Sequence, residues 1–245
     1  MRSQRGRALL VLVLAWLAFF LPVFKGEVRF PVDYAGPEAP GAAPTPVANG
    51  ELGDAYYAMY PWHHYLGDRL REGELPLWDP HRFAGTPFAA DIGVGAFYPP
   101  NWAYAADDHL LVFTLLSMAA SLAALLVTYW FLRVHGLHPA AAAFGALAFA
   151  FSAFLVKWAT NETVANSTIW MALPLGGLEL ARQGRVRRGT TLAAFGLVLP
   201  ILGGHAQIAL YVWFAVAIWV VVSMVAAALG PGRRAGAGPP LLGRV

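Results

Sequence analysis

The residues best equipped for chemistry stand together in "GDAYYAMYPWHH", residues 53–64. One carboxylate, Asp54, is followed by Tyr56, Tyr57, Tyr60 and Trp62, then by His63 and His64. Asp54 stands where a helix could begin, so capping that helix is its plain structural role. No Glu or Gln follows three residues on, so there is no capping box. Adjacent histidines point to different faces of a helix, which disfavours a joint metal site at His63 and His64. Asp91 is a second acid, suited to acid or ligand chemistry and equally to forming a turn. No ligand spacing demands a metal, although a divalent ion is compatible with these carboxylates. Polar residues also sit where apolar runs end: Asn161 and Glu162 in "ATNETVAN", His205 and Gln207 in "GGHAQ". At membrane depth such groups either line a cavity or satisfy broken backbone.

The elements that position these groups are apolar helices. The chain is 58% hydrophobic and 13% charged, against about 25% charged in soluble domains, which marks a polytopic all-α membrane protein. Hydropathy predicts helices over 8–24, 109–133, 140–158, 166–181, 190–203 and 206–229. The first is an uncleaved span and not a signal peptide, because its run is long and no small-x-small site follows directly. The fifth is short enough to be tilted or to form a hairpin with the sixth. Arginine outnumbers lysine 15 to 2, a coding bias and not a nucleic-acid signal. With no cysteine, disulfides and thiolate metal sites are excluded. No GxxxxGK[ST] loop occurs, which excludes an ATP-driven pump within this chain.

Arg2, Arg5, Arg7, Arg133, Arg182, Arg185, Arg187, Arg188, Arg233, Arg234 and Arg244 all fall on one side if the N-terminus is cytoplasmic. Thirteen of the 14 acids then fall outside, the exception being Glu179. The positive-inside rule therefore predicts a cytoplasmic N-terminus in a cell membrane. The predicted organisation is a tail and first helix over 1–24, a large extracytoplasmic loop over 25–108 and helices two to six over 109–229. A Gly/Pro/Arg-rich cytoplasmic segment follows over 230–245, and the absence of a folded end there suggests a truncated chain. Within the loop, 31–53 reads as irregular. Trp62, Tyr65, Leu66 and Leu70 recur at helical spacing, an aromatic stripe suited to lipid headgroup level. Residues 72–102 read as ordered loop and short turns against the helix ends. Most of the aromatics have a plain account as an interface belt.

The ordered set "GDAYYAMYPW", "LREGELPLWDP", "GTPF", "AD" at 90–91, "FYPPNW", "FAFSAFLVKW", "WMALP" and "GGHAQIALY" resembles the YfhO family of bacterial membrane proteins, which are similar to GT-C glycosyltransferases. The likeness runs from about residue 50 to 229, with departures at Asp79, Ile92-Gly93 and Ala206. It implies a GT-C-like bundle, of which this chain is an N-terminal portion. It also implies transfer of a sugar from a polyprenyl-phosphate donor to an envelope glycopolymer or lipid at the outer face. By the same resemblance Asp54 is the acid in the first outer loop that deprotonates the acceptor. The phosphate leaving group is already a stable anion, so one base could suffice, unlike the carboxylate pair of glycoside hydrolysis. Burial among Tyr56, Tyr57, Tyr60 and Trp62 would raise the pKa of Asp54 towards that task. The rings could stack on sugar faces. Arg82, in "WDPHRFAGTPF", is the expected grip on the carrier phosphate, its plain alternative being a pair with Asp79 or lipid headgroups. Asp91, Asn161, Glu162, His205 and Gln207 are expected to complete an outward cavity. The competing reading is a non-enzymatic transporter or flippase-like protein for the lipid-linked precursor, for which no inverted repeat is visible.

Overall fold

A computed structural model describes residues 2–35, 46–106 and 109–229. The predicted Gly/Pro/Arg-rich segment 230–245 lies outside them. The chain is mostly helical. Helix α1 spans Arg2–Phe19, and α2, Tyr60–Arg71, follows a single π turn at Ala55–Met59. Helices α3 (His109–Val134), α4 (Pro139–Ala150), α5 (Ala153–Trp158), α6 (Glu162–Thr168), α7 (Ala172–Arg182), α8 (Val186–Leu202) and α9 (Ala206–Leu229) complete the order. Two of the described helices, α3 and α9, are long and apolar enough to cross a membrane.

Small residues set how these helices pack. Ala8 and Leu12 of α1, Ala120 and Ala124 of α3, and Ala142, Ala143 and Ala146 of α4 form one buried cluster. In α7 and α8 the backbones themselves meet. A Cβ on Gly177 would lie 2.7 Å from the Gly189 carbonyl oxygen, and one on Gly196 would lie 2.4 Å from the Pro174 ring. Close approach of this kind increases the dispersion contact between the two helices. Much of the apolar surface remains uncovered. Trp213, Phe214, Ile218, Val222 and Leu229 are exposed along α9, as are Leu10, Leu14 and Leu17 on α1.

One predicted helix is divided and one predicted connection is helical. The helix expected over 140–158 breaks after Ala150, because Ser152 leaves helical geometry and its hydroxyl accepts from the Leu155 N–H at 3.3 Å. The connection expected over 159–166 is helical instead. Asn161 caps α6 by accepting from the Val164 N–H at 3.4 Å, and every residue of α6 is buried. Ser and Asn compete for backbone donors, so they start new helices inside an apolar run.

Residues 46–106 cover one end of the bundle, the loop end. Strands β1 (Trp78–Asp79) and β2 (Thr86–Pro87) pair antiparallel, and short 3-10 turns run over Ile92–Val94 and Pro99–Ala105. They change the reading of α2. Leu66 is fully buried against Phe88, Val94 and Ala96, with Trp62, Tyr65 and Leu70 packed around them. The expected headgroup stripe therefore faces protein. Gly67 fixes the approach on another side: a Cβ there would lie 2.0 Å from the Tyr104 carbonyl oxygen.

Candidate functional site

The π turn puts one more residue than an α turn ahead of α2, with the Tyr60 N–H donating to the Ala55 carbonyl. Its tyrosines gather on the loop that precedes it. Tyr56 stacks on Tyr34 at 6.0 Å, Tyr57 meets the same ring edge-on at 5.5 Å, and Tyr60 packs on Phe30 at 5.1 Å. From there α2 forms the floor of a cleft of about 760 Å³. Tyr57, Tyr60, Trp62, His64 and Asp68 line it from the helix side, and Asp79, His81, Arg82 and Phe83 from the β1–β2 loop.

That loop carries backbone strain. Phe83 and Ala84 have φ of 47° and 61°, and Gly85 follows at 117°. Left-handed conformations at successive non-glycine residues are uncommon and concentrate at functional sites. The turn leaves Phe83 90% exposed at the cleft. It also sets the Arg82 guanidinium 4.7 Å from the centre of the Trp62 ring. Arg82 pairs with Asp91 at 3.3 Å, not with Asp79. Asp91 in turn accepts from the Gly93 N–H, while Asp79 is buried and accepts from the His81 N–H at 2.8 Å. Four other cations of this end have their own partners. Lys157 pairs with Glu51, Arg69 with Glu72 and Glu74, and Arg71 with Asp68. Arg29 donates to the Val156 carbonyl at 3.1 Å, and burial lowers its pKa.

Asp54 differs from its expected surroundings. Its side chain is exposed, so the desolvation expected from the neighbouring rings does not occur. Nor is it a helix cap: its backbone is already helical and its side chain makes no capping bond. It is not among the residues that line the cleft, although Ala58, one turn further on, is. A base the sequence reading passed over does lie inside. His64 Nδ1 is 3.0 Å from Asp68 Oδ2, a pairing that would leave Nε2 free to accept a proton.

Of the polar residues expected to wall an outward cavity, Glu162 is packed into the protein. Glu162 is 2% exposed and accepts the Tyr104 hydroxyl at 2.8 Å on both carboxylate oxygens. His63, 1% exposed, stacks on the Tyr104 ring at 4.5 Å, with Nδ1 3.0 Å from Glu162. That approach is off the N–H direction, so it is a close contact and not a hydrogen bond. The Asn101 amide donates to the Gly95 carbonyl and lies 3.3 Å from His63 Nε2. Accepting from Asn101 at Nε2 leaves the ring proton on Nδ1, the nitrogen nearer Glu162. Burial, the adjacent charge and the hydrogen bond of Glu162 all push the Tyr104 hydroxyl well above its usual range.

The remaining expected residues are local. Asn161 caps α6 and accepts from Thr163. His205 Nδ1 accepts from the Ile208 N–H, its own N–H donates to the Ser167 hydroxyl, and Gln207 donates to Tyr211. The connections near 160 and 204 do approach the loop: a Cβ on Gly204 would lie 3.1 Å from the Ile92 carbonyl. They meet as solid packing. An enclosed space of about 20 Å³, lined by Ser117, Ser121, Glu162 and Asn166 among others, has room for one water. Sequence reasoning missed His63 and Tyr104 as the groups around Glu162, and Asn101 behind His63. The signal for them was Glu162 itself, an acid within an apolar run that must find donors. Among the described residues, no group of three or more His, Cys, Asp or Glu is placed to hold a metal ion.

No family model, curated protein or solved structure matches this chain.

Proposed function

We propose that this chain belongs to a multi-pass membrane glycosyltransferase that takes a sugar from a polyprenyl-phosphate donor and passes it to an envelope glycopolymer or lipid. One observation carries the reading. At one end of a set of apolar helices lies a cleft where aromatic faces and a guanidinium stand side by side. Tyr57, Tyr60 and Trp62 offer rings to a sugar, and Arg82 offers a bidentate grip to a phosphate. Exposed apolar residues on α1, α4, α8 and α9, beyond the two long helices, support embedding in lipid. The N-terminus is then cytoplasmic and the cleft faces outward.

In this reaction the acceptor hydroxyl oxygen bonds to the anomeric carbon as the bond from that carbon to the phosphate oxygen breaks. The carrier phosphate leaves as an anion, and the hydroxyl proton goes to a base. Asp54 is that base by resemblance. It sits one turn from the cleft, and its carboxylate has no hydrogen-bond or ion-pair partner among the described residues. The His64–Asp68 pair is the competitor from inside the cleft.

The exposure of Asp54 favours one second reading, a carrier-lipid flippase that binds the donor without transferring its sugar. Purified protein in liposomes with a labelled polyprenyl-phosphate sugar separates the two. Transfer abolished by Asp54→Asn identifies the enzyme and its base. Transfer abolished by His64→Gln but kept by Asp54→Asn moves the base to the pair. Movement of the donor across the bilayer with no transfer overturns the enzyme reading.

A further inference from the structure

We infer that the end of the bundle opposite the cleft holds a binding site for the headgroup of an anionic phospholipid. The inference rests on the membrane reading and not on glycosyl transfer. Three arginines reach one cleft of about 470 Å³ from different elements: Arg5 from α1, Arg133 from the last turn of α3, and Arg185 from the turn before α8. Helix α3, 26 residues or about 39 Å long, separates them from the loop end.

Their charge is not spent on carboxylates. Among the described residues none of the three has a salt-bridge partner, and Arg133 donates to the Leu137 carbonyl. The acid at this end, Glu179, is already held by Arg182, which donates to both carboxylate oxygens at 2.7 Å. Gln183 covers the Val134 carbonyl at 2.9 Å, removing a free acceptor that would repel an anion. Arg185 also occupies the capping position of α8 without a side-chain cap. The uncapped N–H groups and positive end of a 17-residue helix therefore open beside the guanidinium groups.

A second observation is independent of charge. Tyr129 is part of the cleft wall, and its hydroxyl is buried without a hydrogen-bond partner. Buried hydroxyls without partners are costly, and a ligand oxygen reached by a small ring movement would satisfy this one. Leu9 and Trp130 supply apolar wall for the glycerol and the first methylenes of the chains. Guanidinium groups, helix N–H groups and a hydroxyl over an apolar wall suit a phosphodiester attached to lipid.

The test uses the whole chain in nanodiscs containing phosphatidylcholine with a minor share of phosphatidylglycerol, followed by native mass spectrometry of the released protein. Phosphatidylglycerol should be retained about tenfold over its share, and Arg5→Gln, Arg133→Gln and Arg185→Gln together should remove that preference. Arg7→Gln changes charge at the same end of α1 but outside the cleft and should leave it intact. Inorganic phosphate at millimolar concentration should compete weakly. Full displacement by it would overturn the lipid assignment in favour of a soluble phosphate. Equal retention of both lipids, or equal loss in the control variant, overturns the site. Arg133→Lys guards against misfolding: it keeps the charge but loses the bidentate grip, so partial retention is expected. Failure of the protein to enter nanodiscs at all would overturn the membrane reading, a separate and recognisable result.

Discussion

Glu162 is held by Tyr104 and approached by His63, so groups from the loop stabilise its carboxylate. A hydrogen bond to a charged group contributes about 1.5–3 kcal/mol. Tyr104→Phe should therefore lower stability by about that amount, measured by chemical denaturation in detergent. Asp54→Asn, at an exposed carboxylate, should stay within about 0.5 kcal/mol of the parent. Any loss of transfer in that variant then reports chemistry and not folding. Tyr98 gives a pH dependence at the same scale. Burial pushes its pKa up to about 12, with Trp170 Nε1 donating to its oxygen at 3.1 Å. An unfolded tyrosine ionises near pH 10. Below that pH both states keep the proton and the contribution of Tyr98 is complete. Above it the unfolded chain loses the proton first, so stability should fall as pH rises from about 10 to about 12. Tyr98→Phe should make that fall shallower in alkaline unfolding curves. An unchanged slope would assign it to other groups. At this scale the sequence showed which residues are polar in apolar surroundings. It could not show partners such as Tyr104 and Glu162, which lie 58 positions apart.

Helix α3 and helix α9 were legible because a long uncharged run has few other physical outcomes. The breaks at Ser152 and Asn161 were not, because hydropathy averages over a single polar residue that redirects backbone donors. The stripe on α2 was read at the right spacing and given the wrong neighbour. Periodicity shows that a face is buried, but not whether lipid or residues 86–96 bury it. Gly67 tests the packing directly. An added methyl would sit 2.0 Å from the Tyr104 carbonyl oxygen, closer than any real contact, and backbone cannot step aside as a side chain can. Gly67→Ala should push α2 away from Pro99–Ala105, costing about 1–3 kcal/mol or more. Faster limited proteolysis within 72–102 would register the displacement, whereas an unchanged digestion pattern would show that α2 tolerates the shift.

For the whole molecule, the separation between acids and arginines decides which way the cleft faces. Arg5, Arg133 and Arg185 meet at one end of the bundle, and Glu51, Asp68, Asp79 and Asp91 lie in the segment covering the other. Basic residues resist translocation, so the arginine end should be cytoplasmic and the cleft should face outward. The chain has no cysteine, so single-cysteine variants carry no background. Ala48 and Val186 are both exposed, and neither lies in the apolar core. Ala48→Cys should react with a membrane-impermeant maleimide in intact cells, and Val186→Cys only after permeabilisation. The reverse pattern would put Asp54 and the cleft in the cytoplasm, away from any outward-facing sugar donor. Equal labelling of both in intact cells would mean that no bilayer separates them, and the exposed apolar faces of α1 and α9 would then have to be covered by protein instead of lipid.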